Sequence, residues 1–199
     1  MFKLSLRPLW VFSFGVLVLA GCQSPEEKRA EAYEKGMAFM QKHNYDAALI
    51  AFKNAVKADP KDAQSLYQLG QVYLETGDGE KALIELQKAN AIKPGLPGYA
   101  LAEARAYHLQ GKLDEAWKRL QPLLAADIKA KALAGQVLLR KGDLNGARKY
   151  LEEALAANVE PLMDLLGLAE IELQQRQPAK ARALLERAAK ADASAVQPL

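Results

Sequence analysis

Cysteine is almost absent from this sequence of 199 residues, in which Cys22 is the only example. A single thiol cannot form a disulfide within the chain, so the fold must be stabilised by packing. Histidine is also scarce, since only His43 and His108 occur. No histidine pair, metal-ligand spacing, nucleophile elbow or phosphate-binding loop is found in the sequence. The sequence therefore predicts no catalytic centre, no metal site and no bound cofactor.

Net charge and aromatic content are low as well, at +3 and 7%. Proteins that bind nucleic acids usually carry a pronounced basic surface, so no nucleic-acid partner is predicted. Half of the residues are hydrophobic, and alanine and leucine dominate among them. That composition favours a helical protein.

The start of the chain has the pattern of an export signal. Lys3 and Arg7 precede an uncharged apolar run from Leu9 to Leu19. This run is too short for a membrane-spanning helix, which needs about 20 apolar residues. The segment 1–21 is therefore predicted to be a signal peptide.

The signal ends in Leu19-Ala20-Gly21-Cys22, which resembles the lipobox of bacterial lipoproteins. The resemblance implies that the Cys22 thiol carries acyl chains such as palmitate, that the signal is removed, and that the segment 22–28 forms a lipidated tether. A signal without lipidation and a buried Cys22 is the alternative. In such lipoproteins an Asp directly after the lipidated cysteine retains the protein in the inner membrane. Gln23 therefore favours the outer membrane of a Gram-negative cell, with the chain facing the periplasm.

The remainder of the chain repeats one pattern of two amphipathic helices joined by a turn. The clearest copy has small residues at three helical positions, and the same positions recur one unit earlier in the chain. These are Gly70, Ala82 and Ala89, preceded by Gly36, Ala48 and Ala55. A period of about 34 residues with this content is typical of tetratricopeptide repeats.

Five units are predicted at 29–62, 63–96, 97–127, 128–161 and 162–195, followed by a tail at 196–199. The third is shorter, and Pro122 lies inside its second helix, which it should kink or end. Asp127 is positioned to cap the next helix, and Pro178 suits the first turn of the last one. The predicted fold is all-α, a right-handed superhelix of about five helix-turn-helix repeats.

Small residues should allow the two helices of a unit to approach each other. We expect Gly36 to face Ala48 and Gly70 to face Ala82, with larger side chains around each contact. Gly98, in contrast, is expected at a loop or a helix start, with more room for a side chain. The first turn, His43-Asn44, is expected to use Asn44 as its left-handed residue.

The first helix of each repeat lines the concave face in this fold, which gives a set of candidate partner-binding residues. These are Tyr33, Met37, Tyr67, Gln71, Arg105, His108, Gln136 and Arg140. Their mixture of aromatic, amide and cationic groups suits an extended segment of a partner protein. For Met37, a place in the core is an equally good interpretation.

Two runs of sequence carry a more specific resemblance. The runs Asp46–Val56 and Leu69–Leu74 are similar to the N-terminal part of the large repeat lipoprotein encoded beside exosortase and exopolysaccharide genes. This resemblance implies a scaffold for protein–protein interactions in cell-envelope assembly, in the export of exopolysaccharide or of proteins with a PEP-CTERM signal. Pilotins of type IV pili, shorter lipoproteins of the same repeat type, are one alternative. An enzyme, or a regulatory subunit of a cell-wall enzyme, is another, but because no catalytic residues are predicted the chain is not expected to be an enzyme itself.

Overall fold

The computed structural model describes residues 24–158 and 161–195, with side chains described as far as residue 191. These residues form ten α-helices and one short 3₁₀ turn, and no strand occurs among them, which confirms the predicted all-α fold. The helices are α1 Pro25–Gln41, α2 Tyr45–Ala58, α3 Ala63–Glu75, α4 Gly79–Ile92, α5 Tyr99–Leu109, α6 Leu113–Leu120, α7 Ile128–Lys141, α8 Leu144–Ala156, α9 Pro161–Gln174 and α10 Pro178–Ala195. The predicted signal peptide, Cys22 and the tail 196–199 lie outside the described residues.

The first helix begins earlier than predicted, and the predicted tether at 22–28 is therefore too long. Ser24 and Glu27 form a capping box, in which Ser24 Oγ accepts from the Glu27 amide at 3.2 Å. The Glu27 carboxylate accepts in return from the Ser24 amide at 2.8 Å. With Pro25 at its first turn, α1 starts directly after Ser24, because both reciprocal bonds satisfy amides that a helix end leaves open.

Each turn between the two helices of a unit contains one residue with positive φ at the same place. The five are His43, Gly77, Gly111, Gly142 and Arg176. The spacing between successive members is constant, except for one shorter step from Gly111 to Gly142 in the fourth unit. At the first turn the prediction was wrong, because His43 is left-handed whereas Asn44 caps α2 by accepting from the Ala47 amide.

The third unit has a short second helix. It ends at Leu120, and a 3₁₀ turn at Gln121–Leu123 contains the proline that was expected to end it. Asp127 then caps α7 by accepting from the amides of Lys129 and Ala130 at 2.9 and 3.2 Å. The missing helical turn accounts for the shorter step to the next unit.

Helical glycines make room chiefly for a large side chain of the second helix, although the predicted close approach of Gly70 to Ala82 is also present. A Cβ added at Gly36 would lie 2.7 Å from the Phe52 ring. At Gly70 it would lie 2.8 Å from Leu86 Cγ, whereas the nearest atom of Ala82 is a backbone oxygen at 3.3 Å. The large residues therefore insert over the glycines, and Phe52 and Leu86 are fully buried.

Gly98 lies at a helix start, as one of the two predicted placements had it, but it lacks the expected room. It precedes α5 in a left-handed conformation with φ of +76°. An added Cβ would lie 2.9 Å from the Tyr67 hydroxyl oxygen. A leucine at this position would therefore be strained both in its backbone and in its contact with α3.

Candidate partner-binding groove

Five of the eight predicted contact residues line one groove between α3, α5 and α7, with a volume of about 780 Å³. They are Tyr67, Gln71, Arg105, His108 and Gln136. Each of these residues is half-buried, so its side chain is supported by the fold and still reaches solvent. The groove thus draws on three consecutive units of the array.

Helical spacing explains why the polar residues of the groove lie close together. Tyr67 and Gln71 are four residues apart on α3, and Arg105 and His108 are three apart on α5, so each pair shares one helix face. Gln136 occupies the equivalent face of α7. The stacking of the units then places the three faces side by side.

An ion pair joins two walls of the groove. Arg105 Nη1 lies 2.6 Å from Glu75 Oε1, so α5 is connected to the last residue of α3. Both side chains are partly exposed, and such a pair contributes about 0–1 kcal/mol. The sequence analysis did not identify Glu75, although its place one helical turn after Gln71 could have revealed it.

His108 is the titratable group with the strongest perturbation in the groove. Burial, followed by the neighbouring Arg140 and Arg105 guanidinium groups, lowers its pKa from 6.5 to about 4. Its Nε2 atom is buried and has no hydrogen-bond partner among the described residues. The imidazole is therefore uncharged at neutral pH, and arginine supplies the positive charge nearby.

Tyr67 contributes a neutral phenol. Burial raises its pKa, and a hydrogen bond with Gln71 opposes this effect only in part. The close approach of the phenol oxygen to Gly98 shows that the ring extends across to the start of α5. A side chain at position 98 would occupy the space that the Tyr67 hydroxyl needs, which gives this glycine a role that the sequence analysis missed.

The other three predicted residues lie outside this groove. Tyr33 packs its ring edge-on against Phe52, with 5.7 Å between centroids, and Met37 contacts the same core cluster. Arg140 is exposed, and its Nη1 atom donates to the His108 carbonyl at 2.8 Å. Tyr33 and Met37 thus contact the core, as Tyr67 also does from the groove, and the Arg140 guanidinium is bonded to the end of α5.

Several lining residues were not identified from the sequence. Besides Glu75 and Gly98, they are Ala102, Leu109, Asp127, Lys129, Leu133 and Met163. Met163 belongs to the fifth unit, and the contact of α9 with α7 brings it to the groove. Leu101 and Leu109 supply apolar contact area beside the amide and cationic groups, whereas Leu74 lies buried beneath the groove.

No group of three or more potential metal ligands occurs within the described residues. Across the same residues, no helix is both long and apolar enough to cross a membrane.

The chain resembles known repeat proteins along most of its length. The tetratricopeptide repeat family matches at residues 33–97 and 132–196. The cellulose synthase 1 operon protein C of Komagataeibacter xylinus is 25% identical over 178 residues, which cover 82% of this chain and 13% of that protein. The chain spans 33% and 41% of the length of two other curated relatives, so all three are much longer proteins.

Solved structures agree with the fold. The structure of a pilF protein of Pseudomonas aeruginosa superposes with a TM-score of 0.61 at 21% identity, covering 84% of this chain and 78% of that chain. PilW, described as a widely conserved type IV pilus biogenesis factor, gives a TM-score of 0.66 at 19% identity, covering 80% of this chain and 76% of that chain. Together with the family match over both halves of the array, the ten helices show that the chain belongs to the tetratricopeptide repeat family.

Proposed function

We propose that this protein is a lipid-anchored periplasmic scaffold that binds an extended segment of a partner protein and serves cell-envelope assembly. The observation that carries the proposal is the groove itself. Side chains from α3, α5 and α7 that recur along the sequence converge on one concave surface, where they remain accessible.

The chemistry of the groove suits a peptide. Leu101, Leu109 and Met163, which are partly or well exposed, offer apolar contact to side chains of an extended segment. The amides of Gln71 and Gln136 can each donate to and accept from a peptide backbone. Arg105, held by Glu75, supplies a cation at one wall, and arginine is enriched at binding hot spots.

The relatives support a role in building the cell envelope. A protein of a cellulose synthase operon points to polysaccharide export, in agreement with the resemblance to the lipoprotein encoded beside exosortase genes. A pilotin-type role in type IV pilus or secretin assembly is the second candidate. The similarity in fold to the pilF protein and to PilW supports it. Either role is non-catalytic, as is typical of the family.

The groove is tested by removing two of its polar side chains that pack little against the core. Arg105→Ala combined with Gln136→Ala should reduce partner recovery from an envelope extract at least tenfold, because a hot-spot side chain contributes about 2 kcal/mol or more. The matched control is Arg182→Ala with Gln87→Ala, which removes an exposed ion-paired arginine and an exposed glutamine elsewhere.

Melting temperature and helicity should stay close to those of the unchanged protein in both double variants, since surface substitutions usually alter stability by less than about 0.5 kcal/mol. Equal recovery of the same partners by the groove variant and the control would show that the groove is not the binding site.

A further inference from the structure

The outer surface of α1 and α2 forms a second accessible surface, at the opposite end of the array from α10. We call it the N-terminal end face. Two shallow depressions of about 390 and 480 Å³ adjoin there, and both include Lys28 and Asn54. Phe39, Ile50 and Lys35 line the first depression, and Lys57 lines the second.

This face has an apolar centre and a basic rim. Ile50 is 63% exposed, more than any other large hydrophobic side chain among the described residues. Lys28 and Lys57 are exposed and have no ion-pair partner within the described part of the chain. Lys35 pairs with Glu31 at 2.6 Å. The rim therefore carries two positive charges that no ion pair compensates, and the exposed Glu26 and Glu27 lie beside Lys28 in the first turn of α1.

The face is not built to receive another packed helix. In the second unit, the residues equivalent to Ala32 and Lys35 are Leu66 and Leu69, which are buried in clusters that include residues of α2. A helix packed in the same way on α1 would have to bury the ion pair of Lys35 with Glu31. The cost of removing both charges from water can exceed the attraction between them, so such packing would be unfavourable.

A layer of lipid headgroups accepts the same features without that cost. Lysine side chains lay their apolar stems along a surface while the ammonium group stays among polar groups. An exposed isoleucine between such lysines can enter the boundary between headgroups and acyl chains. Anionic phosphates would balance the two positive charges that lack an ion pair.

The short distance between this face and the proposed anchor also favours contact with a membrane. Cys22 lies only two residues before Ser24, where the capping box of α1 begins. Two residues span at most about 7 Å. An acylated Cys22 would therefore hold the start of α1, and with it Lys28, against the membrane surface.

We infer that the N-terminal end face docks on anionic phospholipid headgroups and so orients the repeat array on the membrane. This inference rests on the proposed lipid anchor for its biological setting, but the face itself is tested without the anchor. The buried hydrophobic residues described here lie between Ala48 and Ala188, so a chain beginning at Gln23 retains that core.

The experiment measures sedimentation of this anchor-free chain with vesicles of phosphatidylcholine alone or mixed with phosphatidylglycerol. Binding should require phosphatidylglycerol and weaken as salt is added. Lys28→Gln with Lys57→Gln should weaken it about 25-fold, at about fivefold for each lysine near an anionic surface. Lys180→Gln with Lys190→Gln, the same change of charge on α10, should leave it unaltered.

A second pair of variants tests the apolar centre. Ile50→Ser should reduce vesicle binding, whereas Leu173→Ser, at a similarly exposed leucine of α9, should not. Equal binding to both kinds of vesicle, or equal losses for the α10 and end-face variants, would overturn the inference. A third outcome would also overturn it. If the protein does not bind vesicles but self-associates, and the end-face variants abolish this self-association, the face binds a second copy of the chain.

Because no acyl chain is present in this assay, its failure would leave the lipid anchor intact as a proposal. Loss of the anchor, in turn, would be seen by acyl labelling of Cys22 and not by vesicle binding.

Discussion

Gly135→Ala alone should destabilise the protein. The same substitution should stabilise it when Leu151, which faces Gly135, is shortened to alanine. Gly135 lies in the middle of α7, where an added Cβ would be 2.6 Å from Leu151 Cγ and 3.2 Å from the Leu151 amide nitrogen. Carbon atoms in contact prefer about 3.5–4.0 Å, so Leu151 would have to retreat by about 1 Å. It is fully buried, with Gly167 of α9 on its other side.

Two opposing contributions determine how Gly135→Ala changes the free energy of unfolding. Alanine is better than glycine inside a helix by about 1 kcal/mol. Overpacking a close contact typically costs about 1–3 kcal/mol. Gly135→Ala alone should therefore destabilise the array by up to about 2 kcal/mol.

In the background of Leu151→Ala the clash is gone. That truncation alone should cost about 2–5 kcal/mol, because it leaves a cavity. Adding Gly135→Ala should then stabilise the protein by about 1 kcal/mol, since the helix preference remains and the methyl group fills part of the space. The equivalent position of the third unit already holds Ala104, and Ala104→Gly should destabilise by about 1 kcal/mol as a control.

Urea unfolding followed by circular dichroism gives the four free energies of the cycle. The coupling between the two sites should be about 1–3 kcal/mol, within the range found for residues in contact. If Gly135→Ala changes stability in the same direction in both backgrounds, the proposed insertion of leucine over glycine is wrong.

Two further predictions concern His108 and Cys22. The pKa of His108 should be about 4 by nuclear magnetic resonance, and a midpoint near its ordinary value of 6.5 would contradict the buried placement. The unfolded chain binds the His108 proton more tightly than the folded chain does, so the free energy of unfolding should fall as the pH is lowered from about 6.5 to about 4. His108→Gln should remove this part of the pH dependence. Cys22→Ala should prevent incorporation of labelled palmitate and release exported protein from the membrane fraction, because membrane retention would depend on the acyl chains. Label that still enters the variant would refute the proposed anchor.

The sequence by itself determined the local features of this protein. The repeat period, the cap at Asp127 and the end of α6 before Pro122 all follow from the pattern of residue types, and the last two from rules that act within about one helical turn. The capping box at Ser24 obeys the same rules and was readable, although the sequence analysis assigned its residues to a tether. The left-handed residue of the first turn could not be predicted from the sequence. Asparagine usually favours this conformation, but His43 adopts it and Asn44 does not.

Only the tertiary structure decided which of the repeated positions form a site. Tyr33 and Tyr67 are equivalent in sequence and both contact the core, yet only Tyr67 lines the groove, where its hydroxyl lies beside Gly98. Met163 lines the groove from the fifth unit, whose first helix α9 contacts α7. The sequence period specifies each unit but not the angle between units. That angle depends on how side chains pack at each junction, and the shortened step into the fourth unit makes one junction unlike the others.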